Sequence, residues 1–353
     1  MKRVGYIYPK IYDLENIKTA IYKSSLGKRN QKHVSKILNN IDYYSLKIQE
    51  MLVNKTYIPA PYKTKKIYDG ANKKERIICK PNYYPDQIIH WALILQIQPI
   101  FMKGMYVYNC GSVPNRGTSY GQKIIRKWLD NDSKNTKYCL KLDISKFYPS
   151  IDNRIFMNKI KTKIKDKDCI SLIFLIAYSY KSIGFPIGSY TSQWFSNFFL
   201  ESLDHYIKEE LCIKHYIRYV DDMVLFSSNK KILHMARGII RVFLIHRNLK
   251  LKDNWQVFNT KKRDIDFLGL RFYQNKTILR KRNALRIRRR ISKIKKKSFL
   301  NYKDACAIIS YWGWIKRSNS YNFYNKYIKP FISIKQAKKV VSYYSKNVSR
   351  RSA

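Results

Sequence analysis

The chain has 353 residues, 45% of them hydrophobic and 15% aromatic, a composition that builds a packed core and excludes a disordered tail. Lysine and arginine number 71 against 23 aspartates and glutamates, a formal net charge of +48 spread along the whole length. Such self-repulsion destabilises a compact fold unless a polyanion neutralises it, so nucleic acid is the expected partner, with a membrane surface as the alternative.

Residues 1–60 read as basic and helical, with an amphipathic helix through residues 46–53 that ends near Pro59-Ala60-Pro61. Residues 62–68 and 76–80 read as the arms of a hairpin around an Asp69-Gly70 turn. A helix is expected over residues 88–101, followed by a loop through residues 109–118. Residues 138–144 alternate, with Leu140, Leu142 and Ile144 on one face of a strand and Lys141 and Asp143 on the other. The apolar run 170–180 is about half the ~20 residues of a spanning helix and reads as a buried one. One helix is expected over residues 191–210, then hairpin arms at 216–219 and 223–226. From Leu279 onward the pattern is helical and intensely basic. In residues 285–297, Ile287, Ile291 and Ile294 share a face, while Arg286, Arg289, Arg290 and Lys293 populate the others. Such a helix suits a duplex backbone or a membrane surface. Tyr311-Trp312-Gly313-Trp314 suits packing between helices, with base stacking as the alternative. The N-terminus has no apolar leader, and the six scattered cysteines form no CxxC pair; both point to reduced thiols in a cytoplasm.

The sharpest local signal is Tyr219-Val220-Asp221-Asp222-Met223, two adjacent carboxylates between two β-rich arms in a chain short of acids. An ordinary Asp-containing turn would look similar. Asp143, on the polar face of another strand, supplies a third carboxylate, and strands side by side could bring it to Asp221. Converging carboxylates in so basic a protein suit magnesium, which takes one or two of them plus substrate phosphates. A pair of such ions supports phosphoryl transfer, a reaction that needs positioning and charge neutralisation above all.

Leu140-Lys141-Leu142-Asp143-Ile144-Ser145-Lys146-Phe147-Tyr148-Pro149-Ser150-Ile151-Asp152 resembles the first palm motif of reverse transcriptases, and Tyr219-Val220-Asp221-Asp222 their signature catalytic motif. Between them, Phe185-Pro186-Ile187-Gly188-Ser189-Tyr190-Thr191-Ser192-Gln193 resembles the nucleotide- and template-contacting motif, and Phe267-Leu268-Gly269 the primer-grip turn. The resemblance implies an α+β right-hand polymerase: fingers over 1–135, a palm with an inserted fingers segment over 136–278, and a basic helical thumb over 279–353. It implies an RNA-directed DNA polymerase that uses two Mg2+ ions, with Mn2+ as a substitute. Asp143, Asp221 and Asp222 would be its catalytic carboxylates and, with Ile144, its metal-binding residues. Tyr148, five residues after Asp143, matches the aromatic gate against a ribose 2′-hydroxyl; the alternative is a core aromatic. Ile187, Gly188 and Gln193 fall in the nucleotide-contacting motif. Lys74 and Arg76 follow the fingers turn and, with Arg116, are candidates to meet the triphosphate; ordinary solvated cations are the alternative. Arg286, Arg289, Arg290 and Lys293 would hold the duplex from the thumb.

Ser192-Gln193 stands where retroviral and group II intron enzymes carry Ser-Pro. It resembles the enzymes of diversity-generating retroelements and related phage and antiviral-defence lineages. The partners so implied are a structured non-coding template RNA, cDNA, dNTPs and a small accessory protein, with no membrane. The chain departs from the family at Ile187, where glutamine is usual, and at Trp255, where a lysine is usual and Lys250 and Lys252 are the nearest substitutes. Asp86-Gln87 replaces Asp-Arg, and Val113-Pro114 replaces Arg-Pro. An RNA-dependent RNA polymerase would place an Asp at Tyr148, and an idle RNA-binding scaffold would have no need of three carboxylates.

The charge generates the first prediction. RNA binding should be strongly salt-dependent: a protein making ~6–10 phosphate contacts loses roughly 10³–10⁵ in affinity on duplex DNA between about 50 and 200 mM salt, and single strands give a shallower slope. Filter-binding titrations across that range check this, and a flat profile would assign the +48 charge to another purpose.

Overall fold

The computed structural model describes residues 2–69 and 74–350, with the side chains of all of these except 69, 74 and 345–350. The chain forms two compact units, one of Met1–Ser112, Leu142–Met223 and Met235–Trp255, the other of Val113–Lys141, Val224–His234 and Gln256–Ala353.

In the first unit, helices Leu14–Ser25, Lys32–Leu38 and Ile41–Val53 bury their apolar faces. Asp13 caps the first of these, accepting from Asn16 N at 3.0 Å. The central element is helix Ile88–Gly104, which buries Ile88, Ile89, Ala92, Leu93, Ile94, Ile97 and Phe101. Asn16 ties the two together: its Nδ2 donates to Ile11 O (2.9 Å) and Ala92 O (3.1 Å), and Gln96 Nε2 donates to its Oδ1 (2.7 Å). The expected hairpin is present as antiparallel strands β1 (Lys63–Asp69) and β2 (Lys74–Lys80). Gly70 of its expected turn lies outside the described residues. Cys79 N donates to Ile187 O at 2.7 Å, joining β2 to the residue just before Gly188. Gly188 has φ +116°, and a Cβ there would lie 2.7 Å from Ile78 Cγ2 and 3.1 Å from Cys79 O.

Strands β3 (Tyr138–Asp143), β4 (His215–Tyr219), β5 (Asp222–Ser227) and β6 (Gln256–Asn259) hydrogen-bond in the order β4-β5-β3-β6. β3 pairs antiparallel with β6, Tyr138 opposite Asn259. The expected alternation holds: Leu140, Leu142 and Ile144 are buried, while Lys141 and Asp143 are half-exposed. The single helix expected over 191–210 is corrected to Tyr190–Phe199, Glu201–His205 and a last turn at Tyr206–Glu210. The first piece is buried at every position except Tyr190 and Gln193. It feeds an aromatic cluster of Phe156, Phe185, Phe195 and Phe198, with Phe101 stacked on Phe198 at 4.3 Å. The acids that follow must then meet buried partners: Glu201 takes Lys159 (3.1 Å) and Asp204 takes Arg218.

In the second unit, strands β7 (Ile265–Phe267), β8 (Leu270–Phe272) and β9 (Thr277–Leu279) form an antiparallel sheet. The β7–β8 turn has Leu268 at φ +48° and Gly269 at +85°, the geometry of a tight two-residue hairpin loop. Its carbonyls accept from Gln122 Nε2 (2.8 Å) and Asn283 Nδ2 (3.0 Å). The basic helix runs Lys281–Lys295, starting four residues before the expected one, and buries Ile287, Ile291 and Ile294 as expected. Helix Tyr302–Ile315 follows, with Trp312 half-buried against Tyr324 at 4.8 Å. The six cysteines are free thiols. Among the described residues no helix is long and apolar enough to cross a membrane.

The crowding at Gly188 generates a prediction: Gly188→Ala should destabilise the protein by about 1–3 kcal/mol, the typical cost of a side chain held in such a conformation. Chemical denaturation measures it, and an unchanged midpoint would show that the segment shifts freely off β2.

Candidate active site

β4 and β5 are joined by the two-residue turn Val220-Asp221. Val220 has φ +58°, where a β-branched residue is strained by roughly 1–3 kcal/mol. Its surroundings hold it there. Arg218 Nη1 donates to Val220 O at 2.9 Å. Gly111 passes so close that a Cβ on it would lie 2.6 Å from both Val220 N and Val220 Cγ2. Asn197 Nδ2 donates to Gly111 O (2.5 Å), and the backbone of Arg218 pairs with Tyr108 O (3.1 Å) and Cys110 N (2.8 Å).

Asp143 ends β3, and residues 250–252 run beside it. Ser145 N donates to Lys250 O (2.7 Å), Lys252 N donates to Asp143 O (2.8 Å), and Ile144 bridges Leu251. Lys252 Nζ pairs with Asp143 Oδ2, so of the two substitutes weighed for the lysine missing at Trp255, Lys252 is the one that reaches the carboxylate. Trp255 is instead covered by the guanidinium of Arg237, 4.4 Å from the ring centroid. Asp143 also faces Asp221. Burial first, then the charge of Asp143, pushes the Asp221 carboxyl up to about 6, with Lys252 pulling the other way. Burial likewise raises the Tyr148 phenol, which contacts Ser196 and feels the charge of Asp221.

These residues fit a divalent cation. Asp143 Oδ1 is buried and receives no hydrogen bond, and a cation would relieve the repulsion that raises Asp221. Among the described residues no three His, Cys, Asp or Glu side chains form a metal cage. Magnesium does not need one, because it keeps waters and takes substrate phosphates alongside one or two carboxylates. Asp222 opens β5 and is half-buried.

The remaining candidates are distributed as follows. Gly188 and Gln193 line a cleft of about 1010 Å³ with Lys28, Lys80, Trp91 and Tyr190, and Trp91 stacks on Tyr190 at 3.8 Å. Ile187 is half-buried beside them and Arg76 is exposed on β2. Lys74 begins β2, but its side chain lies outside the described residues. Gln87 accepts from Lys28 Nζ at 2.6 Å. Arg116, Phe267, Leu268 and Gly269 belong to the second unit, as do Arg286, Arg289 and Lys293, all three exposed, and Arg290, which pairs with Asp304 at 2.5 Å. Sequence reasoning missed Arg218, Asp204, Asn197 and Gly111. The available signal was an arginine immediately before Tyr219, inside a strand arm of otherwise aromatic and aliphatic residues, Tyr216-Ile217-Arg218-Tyr219.

The raised carboxyl carries a stability prediction. A group whose folded value lies above its unfolded one costs stability at pH above the folded value, and that cost fades as pH falls through it. The rise from 3.8 to about 6, discounted for partial exposure, is worth about 1–2 kcal/mol. Asp221→Asn should therefore stabilise the metal-free protein by that amount at about pH 7.5, with the gain nearly gone at about pH 4, the ordinary carboxyl range. Denaturant titrations of both proteins across that range check the sign.

A search of curated protein sequences gives no match. Among solved structures, telomerase from Candida albicans in complex with a TWJ fragment of telomeric RNA is similar at 13% identity over 81% of this chain and 64% of that one, with a TM-score of 0.48. Apo telomerase from Candida tropicalis is similar at 13% identity over 82% and 58%, with a TM-score of 0.49. The chain thus spans less than two thirds of the length of these telomerase chains. The profile of the reverse transcriptase (RNA-dependent DNA polymerase) family matches residues 63–272, which include β1 through β8, both facing carboxylates and Lys252. With more than half its length matched, the chain belongs to the reverse transcriptase family.

Proposed function

We propose that the protein synthesises cDNA on an RNA template by two-metal phosphoryl transfer. The observation that carries this reading is the pair Asp143 and Asp221, held face to face in a chain of net charge +48 with Asp143 Oδ1 buried and unsatisfied. Two Mg2+ ions, or Mn2+ in their place, would when bound supply positive charge for activating a primer 3′-hydroxyl and for stabilising the pyrophosphate leaving group. Asp143 and Asp221 hold them, supported by Asp222 and Ile144. Lys252 steadies Asp143 from its other oxygen. Tyr148, which feels the charge of Asp221, would stack under a deoxyribose and exclude a ribose 2′-hydroxyl. Lys74, Arg76 and Arg116 meet the triphosphate, while Ile187, Gly188 and Gln193 shape the nucleotide and template site. Phe267, Leu268 and Gly269 grip the primer, and Arg286, Arg289, Arg290 and Lys293 follow the duplex backbone. On this reading fingers, palm and thumb cover 1–135, 136–278 and 279–353.

The finer reading is a role in a diversity-generating retroelement or an antiphage defence system, in a cytoplasm, on a structured non-coding RNA and with a small accessory protein. Ser192-Gln193 supports that lineage. Ile187 bears on the choice between the two roles, because an aliphatic side chain offers the incoming nucleotide shape without a hydrogen bond and discriminates by only about 1–3 kcal/mol.

Extension of a labelled primer on a defined RNA, with dNTPs and then NTPs, tests the activity. Wild type should extend with dNTPs alone, and Asp143→Asn or Asp221→Asn should fall more than tenfold with RNA binding nearly intact, because magnesium needs anionic oxygens. Tyr148→Ala should yield alkali-sensitive product containing ribonucleotides. Extension by the Asn variants within tenfold of wild type would remove the assignment. Frequent errors opposite template adenines in the sequenced cDNA would favour diversification, and accurate copying would favour defence.

A further inference from the structure

The turn that carries Asp221 does not hold itself. Val220 occupies the left-handed region, which a β-branched residue leaves when nothing opposes it. Asp221 is pressed against a like charge, Asp143. Both effects drive the turn to open.

Beneath it lies a buried polar network. Arg218 and Asp204 have no exposed surface. The guanidinium meets the carboxylate two-pronged, Nε to Oδ1 at 2.7 Å and Nη2 to Oδ2 at 2.5 Å. The Tyr216 hydroxyl donates to the same Oδ1 at 2.7 Å. A planar fork locked on one side leaves its remaining nitrogen with a fixed aim. That nitrogen, Nη1, donates to Val220 O at 2.9 Å and to Asn197 Oδ1 at 3.2 Å. Asn197 in turn donates to Gly111 O, and Gly111 packs directly on Val220 N. Val220 is thus gripped at its carbonyl by Arg218 and pressed at its amide by Gly111. A buried ion pair is weak evidence for stability, since apolar residues of similar volume often replace one without loss. Its hydrogen bond to the carbonyl of a strained residue is what an apolar pair could not supply.

We infer that Arg218 is a positioning residue: anchored by Asp204 and Asn197, it keeps Val220 in its left-handed conformation and so presents Asp221 beside Asp143 for a divalent cation. The inference rests on the metal-binding reading of those two aspartates.

The test uses the full chain without nucleotide, with Mn2+ as the probe, read by electron paramagnetic resonance, and with hydrogen exchange of the amides of residues 219–222. Arg218→Met combined with Asp204→Leu removes both buried charges together. Its Mn2+ affinity should fall about 10- to 100-fold, as for other residues that orient metal ligands. Its turn amides should exchange faster, while its RNA affinity stays at the wild-type level. Arg218→Lys keeps a cation against Asp204 but lacks the fork; it should move Mn2+ affinity and exchange in the same direction and serves if the double variant does not fold. Adding Val220→Gly to either should recover part of the Mn2+ affinity, because glycine adopts the turn conformation unaided. Mn2+ affinity within about twofold of wild type in a folded variant, against the 10- to 100-fold loss expected of ligand-orienting residues, would overturn the inference, and so would no recovery on adding Val220→Gly. Asp221→Asn separates the two levels. If it leaves Mn2+ binding intact, the metal reading falls and this inference with it; if it abolishes binding while the Arg218 variants do not, only the role of Arg218 falls.

Discussion

Asp143 and Asp221 repel each other, and much of the first unit bears on keeping them together. Burial, by taking the Asp221 carboxylate out of water, and then the charge of Asp143 push Asp221 up to about 6. The turn that delivers Asp221 adds strain of its own, because Val220 takes a backbone conformation that its branched side chain disfavours. Two cations answer these costs. Lys252 pairs with Asp143 at the surface of the site, while Arg218 works from the interior with no exposed surface at all. A folded protein that stores like charges and strain at one place is poised for a ligand that relieves both.

Several of the other acids serve the fold. Asp166 caps helix Lys167–Tyr178 through Cys169 N (3.0 Å) and accepts from Ile7 N (2.6 Å) and Tyr8 N (2.8 Å). Asp304 takes both Arg290 and Lys297, and Asp264 takes Arg271 at 2.6 Å. With 23 acids and 71 lysines and arginines, most cations have no acid to meet. That surplus is what a polyanion would neutralise, in keeping with the function proposed above. The same economy of structure recurs in the second unit, where buried Gln122 holds Leu268 O in another left-handed, non-glycine turn residue, as Arg218 holds Val220 O.

Local pattern determined a good deal by itself. Period-two alternation placed β3 and the faces of Leu140, Leu142, Lys141 and Asp143, because side chains of a strand must point to opposite sides. Apolar spacing placed helix Lys281–Lys295 and its buried isoleucines, and the run of β-rich arms placed both hairpins. Motif order was enough to identify the family and to single out Asp143 and Asp221. What pattern could not determine was which distant side chains meet. Lys252 and Asp143 are far apart in the chain and become neighbours only when residues 250–252 run beside the end of β3. Arg218 reads from sequence as one more cation among many, and Asn197 as one more polar residue in a helix. Their roles were decided by burial, which removes water as a partner and obliges each donor and acceptor to find another in the fold. After Phe199 the chain stays near-helical through Leu200 and Glu201–His205, and Glu201 and Asp204 there find buried cations that no local pattern names. Composition and periodicity are local or additive and so are written in the chain, whereas pair contacts depend on three-dimensional register and exist only once the chain has folded.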